Sequence, residues 1–274
     1  MRLKVIALFL ALQLLSFGIW KTMSSPQTVM ADPVPVAVTA PVTVTHAAAG
    51  KAAAPKIDFA VRNLESSQAT LIDSAKSRIL EAMAKLPAGH TASVGNIILD
   101  YDKNAYRGLG GNKLIILRAV NMGDTEFVGV LIHEIGHNVD FAFLKPADKR
   151  KKSAFMDMGN PVYSSDNSVR FYGISWMDEK TMKNAANNMD FVSGYAMSDP
   201  FEDFAETYAY YVLHGNDFRA LTATSEALYA KYNFMKNVVF NGIEFDTDDG
   251  KVEANNRPWD VTLISYNLDN FLAL

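Results

Sequence analysis

The stretch His133-Glu134-Ile135-Gly136-His137 constrains this chain more than any other. On a helix, residues four apart lie on one face, one turn apart. Two imidazoles so placed can hold a single Zn²⁺ at about 2.0–2.1 Å each. Glu134 follows the first of them and can reach a water at such an ion without being a ligand, which is the arrangement of two ligands and a general base. A polar patch on a surface helix is the plainer alternative, and the flanks oppose it. Phe127, Val128, Val130, Leu131, Ile132, Ile135, Val139, Phe141, Phe143 and Leu144 leave almost no polar face. A helix that is apolar all round is buried, and two histidines and a glutamate inside it need a partner.

Composition narrows the chemistry further. The 274 residues are 49% hydrophobic, enough for a sizeable core. A net charge of −4 gives no electrostatic case for nucleic acid. The basic cluster Lys149-Arg150-Lys151-Lys152 follows Pro146 and reads as a solvated loop. There is no cysteine, so disulfides, a catalytic thiol and thiolate ligands are excluded, and a metal must rely on histidine and carboxylate.

The amino end has its own character. Met1-Arg2-Leu3-Lys4 is short and positive, and residues 5–20 are almost continuously apolar. This pattern predicts a signal peptide or an uncleaved membrane anchor over residues 1–25, with Val29-Met30-Ala31 offering a cleavage site after residue 31. About 16 apolar residues are short for a spanning helix, which needs ~20. The chain is therefore expected outside the cytoplasm, secreted or periplasmic, touching a membrane only through this segment if it is retained. Residues 26–56, rich in Pro, Ala, Val and Thr, read as an extended linker in which His46 is inert. The folded domain is expected over 57–274.

Within it, apolar periodicity predicts a helix over 64–86, closed by Pro87, with His90 in a surface loop. A strand is expected over 93–100. The glycine-rich 107–112 lacks the spacing of a phosphate loop and reads as a hairpin or loop. A second strand, 113–120, is expected to offer an open edge to an extended peptide or protein substrate. Asp124 is a candidate N-cap of the histidine-bearing helix, which runs to about Leu144. Residues 145–188 are polar and irregular, with Tyr163, Phe171, Tyr172 and Trp176 as core-filling aromatics. A packing helix covers 225–240, and the apolar 259–274 docks on the domain. Asp246-Thr247-Asp248-Asp249-Gly250 is an acidic turn rather than a calcium loop, because position 12 of such a loop is Arg257, not Glu.

A catalytic zinc keeps three protein ligands and an open position. A third histidine further along the same helix is unavailable, since position 143 is Phe143 and position 140 is Asp140. His214 stands beside Gly215 at a helix end, as a cap or surface residue. The acid-rich candidate is Ser198-Asp199-Pro200-Phe201-Glu202-Asp203-Phe204-Ala205-Glu206. Asp199 can cap a helix whose first residue is Pro200. Glu202 and Glu206 then share a face and repel each other unless something positive sits there. Glu202 is the candidate ligand, with Glu206 accepting the N–H of a ligand histidine from behind. Glu206 remains the rival for the ligand position.

These residues resemble the anthrax lethal-factor-like zinc metallopeptidases, and the Pro-Pro endopeptidases are similar. The likeness rests on the His-Glu-x-x-His run and on Tyr195 standing seven residues before Glu202 in a Glu-x-Phe-Ala-Glu-like helix start; it covers roughly residues 93–214. It implies His133, His137 and Glu202 as ligands of one Zn²⁺ per chain, Glu134 as base, and Tyr195 as the hydroxyl that stabilises the oxyanion. It also implies an α+β, zincin-like fold: a small sheet beside the metal helix, then a mostly helical carboxyl-terminal half. Residues 145–188 read as an insertion. The expected activity is zinc-dependent hydrolysis of peptide bonds. The alternatives are hydrolysis of another amide, such as a cell-wall cross-link, and a non-catalytic binding domain stabilised by zinc.

Overall fold

Among the described residues, a four-stranded sheet, a two-stranded hairpin and eight α-helices form a mixed α+β architecture. The computed structural model describes residues 57–65, 71–102, 106–118, 122–248, 250, 252 and 256–274. These belong to a compact unit spanning Gly50–Leu274. The amino-terminal apolar segment, its cleavage site, the linker with His46, and Asp249 lie outside the described residues. No helix among the described residues is long and apolar enough to cross a membrane.

The sheet contains β1 (Asp58–Arg62), β2 (Asn96–Asp100), β3 (Gly108–Gly111) and β4 (Leu114–Leu117), in the order β1-β2-β4-β3. β1, β2 and β4 run parallel, and β3 lies antiparallel on β4 with Leu109 opposite Ile116. Ile97, Ile98, Leu99, Ile115, Ile116 and Leu117 are all buried, as continuous apolar strands covered on both faces should be. Helix α1 (Leu71–Met83) is closed by Pro87, and α2 (Ala88–Thr91) is a single turn. The expected helix start near residue 64 is not seen: Leu64 and Glu65 are outside α1, and Leu71 and Leu80 face solvent. β1 escaped the sequence pattern because only alternate residues are partly covered and none is fully buried.

The substrate-edge expectation needs correction. Leu114–Leu117 is an interior strand with a neighbour on each side; the edge on that side is the glycine-rich β3. The chain reverses between them through Asn112 and Lys113, both at positive φ (50° and 65°), the two-residue hairpin that follows a strand's twist. Glycine is depleted in strands, so Gly108-Leu109-Gly110-Gly111 reads as a turn while forming a strand.

Helix α3 (Asp124–Asn138) carries the two histidines and continues into a wider turn over Val139–Phe143. It is almost wholly buried from Phe127 onward. Gly123, not Asp124, occupies the N-cap; Asp124 sits in the first turn and pairs with Arg78 at 3.0 Å. Residues 145–188 are more ordered than expected, holding the hairpin β5 (Lys152–Asp157) and β6 (Asn160–Tyr163) and helix α4 (Ser168–Ser175). Phe171, Tyr172 and Trp176 are buried as core. Lys149, Arg150, Lys151 and Lys152 are exposed.

Helix α5 (Pro200–Leu213) packs against α3. Asp199 caps it, accepting from the N–H groups of Phe201 and Glu202 at 2.9 Å each. Helices α6 (Gly215–Leu221), α7 (Glu226–Phe234) and α8 (Leu268–Ala273) complete the lower half. Two histidines expected at the surface are interior. His90 is fully buried, its ring nitrogens 2.9 Å from Tyr208 Oη and the Val239 carbonyl oxygen. His214 ends α5 as expected of a cap, yet is also fully buried and stacks on Tyr210.

Candidate metal centre

Two small residues bring the site together. A Cβ on Gly136 would stand 3.0 Å from Ala205 Cα and 3.2 Å from Tyr208 Cβ, closer than packed atoms sit. The bare glycine lets the backbones of α3 and α5 approach closely, opposite Ala205. The crossing falls between the two histidines of α3 and the two glutamates of α5, so all four side chains meet.

His133 Nε2 is 3.2 Å, and His137 Nε2 3.3 Å, from the same atom, Glu202 Oε2. That oxygen is buried and has no hydrogen-bond partner. Three donors of tetrahedral zinc at about 2.0–2.1 Å are about 3.3 Å apart, so the spacing fits one ion. One ligand atom each from His133, His137 and Glu202 lie within 4.8 Å of one another. An orphaned buried carboxylate oxygen between two imidazoles is costly without a cation.

Glu206 is placed differently. Its Oε1 lies 2.9 Å from His133 Nδ1, the nitrogen facing away from Glu202. Its Oε2 accepts from the Ser193 hydroxyl at 2.5 Å and the Val261 N–H at 2.9 Å. With both oxygens engaged and the side chain fully buried, Glu206 fixes the His133 ring and leaves Nε2 turned to the ligand side. The two acids, equivalent in sequence, are thus separated by their neighbours.

Charge at the site is one-sided. Burial alone would lower the pKa of His133 and His137, but their contacts with the surrounding carboxylates outweigh it and raise both. Burial would raise Glu202, yet His137 and His133 hold it well below the carboxylate range. Asp199 is pushed up to about 7 by burial and the Glu202 charge. Glu134, also buried, is raised chiefly by desolvation. The concentration of acid around two imidazoles suits a dication.

Glu134 lies under the edge strand. A Cβ on Gly108 would overlap the Glu134 carboxylate, and one on Gly110 would stand 2.5 Å from the Glu134 carbonyl oxygen and 2.7 Å from Oε2. β3 is glycine here because any side chain would displace that carboxylate. Arg107, just before β3, pairs with Glu126 at 3.0 Å and with Asp260. Tyr195 opens a short helical turn, Tyr195–Met197, and its ring centroid is 6.2 Å from that of His133. Burial and the charges of Glu202, Glu134 and Asp199 push its phenol above the ordinary value, so the hydroxyl keeps its proton and can donate.

Every candidate site residue from the sequence therefore meets in one place. Ser193, the Val261 N–H, Arg107 and the two close-packed glycines did not stand out. Only the period-two spacing of Gly108 and Gly110 carried a signal; the others act through contacts distant in sequence. His214, Asp217 and Asp248 form a second group able to offer ligand atoms within 4.8 Å of one another. Asp248 is engaged by His214 Nδ1, and Asp217 accepts the Gly250 N–H at 2.9 Å.

A protein family described as "Putative zinc-binding metallo-peptidase" matches residues 119–254, just under half of the chain, and includes His133, Glu134, His137, Tyr195, Glu202 and Glu206. The match supports a zinc metallopeptidase. No curated protein matches the chain.

Proposed function

We propose that the protein is a zinc-dependent endopeptidase of the lethal-factor-like kind with a zincin-like fold. His133, His137 and Glu202 would hold one Zn²⁺, Glu134 would serve as base and Tyr195 as oxyanion donor. The observation that carries this reading is the buried, unpartnered Glu202 Oε2 set 3.2 and 3.3 Å from two imidazole nitrogens. Three donors fit a catalytic site better than a structural one, which closes with four protein ligands.

Zinc at these atoms would supply a Lewis acid and a water of lowered pKa. Glu134 accepts the proton as the water oxygen adds to the peptide carbonyl carbon, then delivers it to the leaving nitrogen. The Tyr195 hydroxyl donates to the oxygen on which charge develops. Glu206 keeps the His133 ring in one orientation and tautomer throughout. An extended substrate pairs with the free edge of β3, whose small residues let its main chain lie close to Glu134. The positive and apolar residues 1–25 support a setting outside the cytoplasm for this activity.

The test joins metal analysis to cleavage of a mixed peptide library. Wild type should bind one zinc per chain and cleave peptides; Glu134→Gln should bind zinc equally and cleave none. Undiminished cleavage by Glu134→Gln would sink the mechanism.

A further inference from the structure

We propose that Trp259 sets the specificity of this site, selecting substrates with an aromatic or large aliphatic residue flanking the scissile bond. The proposal rests on the peptidase reading and deepens it. Trp259 lies outside the residues matched by the family, so it is a feature of this chain read from its geometry.

Its backbone is pinned on both sides. The Gly194 N–H donates to the Pro258 carbonyl at 2.8 Å, and the Tyr195 N–H to the Trp259 carbonyl at 2.6 Å. Asp260 pairs with Arg107, and the Val261 N–H holds Glu206 at 2.9 Å. These bonds tie the segment to the tyrosine turn, to the residue before β3 and to the acid behind His133. Trp259 is 63% exposed. One edge lies over Gly194, where a Cβ would come within 2.6 Å of its Cε3 atom. Its centroid is 6.4 Å from the Tyr195 ring, which is in turn 6.2 Å from that of His133.

A large aromatic face left in water beside a catalytic group, on a fixed backbone, is a ready platform for an apolar side chain. Its distance from His133, through one intervening ring, corresponds to at most about four residues of extended peptide at ~3.3 Å each. The occupant is therefore a substrate residue close to the cleaved bond. Stacking there costs little ordering of the protein, because Trp259 is already held.

The experiment profiles full-length, zinc-loaded wild type, Trp259→Ala and Trp259→Phe against a position-scanned peptide library read by mass spectrometry. Wild type should favour Phe, Tyr, Trp or Leu at one position within about four residues of the cut. Trp259→Ala should lose about 10-fold in kcat/KM for those peptides, mostly through KM, while peptides with Ala there change less than about twofold. Trp259→Phe should recover part of the preference. A parallel arm measures Kd for Phe- and Ala-bearing peptides on Glu134→Gln and Glu134→Gln/Trp259→Ala protein, so Trp259 is read even if wild type cleaves nothing. Absence of cleavage by zinc-loaded wild type would refute the peptidase reading; it leaves the binding arm to judge Trp259. Identical profiles and affinities with and without the indole, or a preference for Lys or Arg, would overturn the proposal.

Discussion

Helix α5 buries acids on two faces and treats them in opposite ways. On one face Asp203 is fully buried and fully answered: Lys231 Nζ donates to it at 2.8 Å and the Trp176 indole N–H at 3.0 Å. Lys231 also reaches the Asp190 carbonyl at 2.9 Å and stands 3.9 Å over the Phe191 ring. The neighbouring residue in sequence, Glu202, turns to α3 and keeps a buried oxygen with no hydrogen-bond partner. One face is closed by the Lys231 ammonium. The other sets the carboxylate between two imidazoles, a group compatible with a metal ion. A buried polar atom without a partner calls for an explanation, and at Glu202 two imidazole nitrogens at 3.2 and 3.3 Å, a spacing compatible with a metal ion, offer one.

The largest expected effect comes from removing the acid on the open face. Glu202→Gln should reduce zinc binding and peptidase activity by more than the ~100-fold that loss of an outer-shell partner costs. Metal-free protein should lose stability as well, because His133 and His137, whose pKa values the carboxylate raises, lose the charge that answers them. Titration with zinc, activity assays and denaturant melts in chelator check both halves. Undiminished zinc affinity in Glu202→Gln would mean that Glu202 is not a ligand.

The closed face should behave in reverse. Asp203→Ala leaves the Lys231 charge buried and unpaired, at a cost of about 3–5 kcal/mol. The double change Asp203→Leu/Lys231→Met should recover most of that loss. Zinc stoichiometry should stay at one in every variant that folds. If the double variant melts as low as the single one, the pair is not the self-contained unit described.

A buried histidine that the chain satisfies by itself sharpens the comparison through pH. Burial lowers the His90 pKa from 6.5 to about 4, against the opposing pull of the Val239 carbonyl. The unfolded chain takes up a proton at His90 near pH 6.5, and the folded one only near pH 4. The stability it contributes is therefore complete above pH 6.5 and is lost as pH falls toward 4, at most about 3 kcal/mol. Melts of wild type and His90→Gln in chelator across this window should converge as pH drops. Parallel curves would refute the assignment.

Glu206→Gln tests the support behind the open face. Weakening its hold on His133 Nδ1 should cost about 10- to 100-fold in zinc affinity or activity, less than loss of Glu202. Equal losses in the two variants would erase the division of labour between the glutamates.

Much of this site was legible in the chain. The spacing of His133 and His137 fixed two imidazoles on one face, and Asp199-Pro200 fixed where α5 begins. The sequence favoured Glu202 but left Glu206 as its rival, because both lie on the same face one turn apart. Ser193, His133 and Val261, far apart in sequence, decide between them by occupying Glu206. The same limit hid His90, whose partners Tyr208 and Val239 are more than a hundred residues away. The edge strand was hidden for a different reason. Its glycines follow from what lies beneath them, the Glu134 carboxylate, and not from strand propensity.

The smallest expected effect probes the crossing that brings α5's open face to α3. In a helix interior, Gly→Ala favours folding by up to about 1 kcal/mol. At Gly136 the added methyl would meet Ala205 Cα at 3.0 Å, a backbone atom that cannot rotate away. The helices must part by a few tenths of an ångström, carrying Glu202 away from the two imidazoles. Gly136→Ala should therefore change the melting temperature of metal-free protein little, as propensity and overlap offset each other. Zinc affinity should weaken by about 1 kcal/mol, or roughly fivefold, measured by competition with a chelator. Unchanged affinity with raised stability would show that the close approach serves packing alone, and that the ligand spacing is set by the side chains.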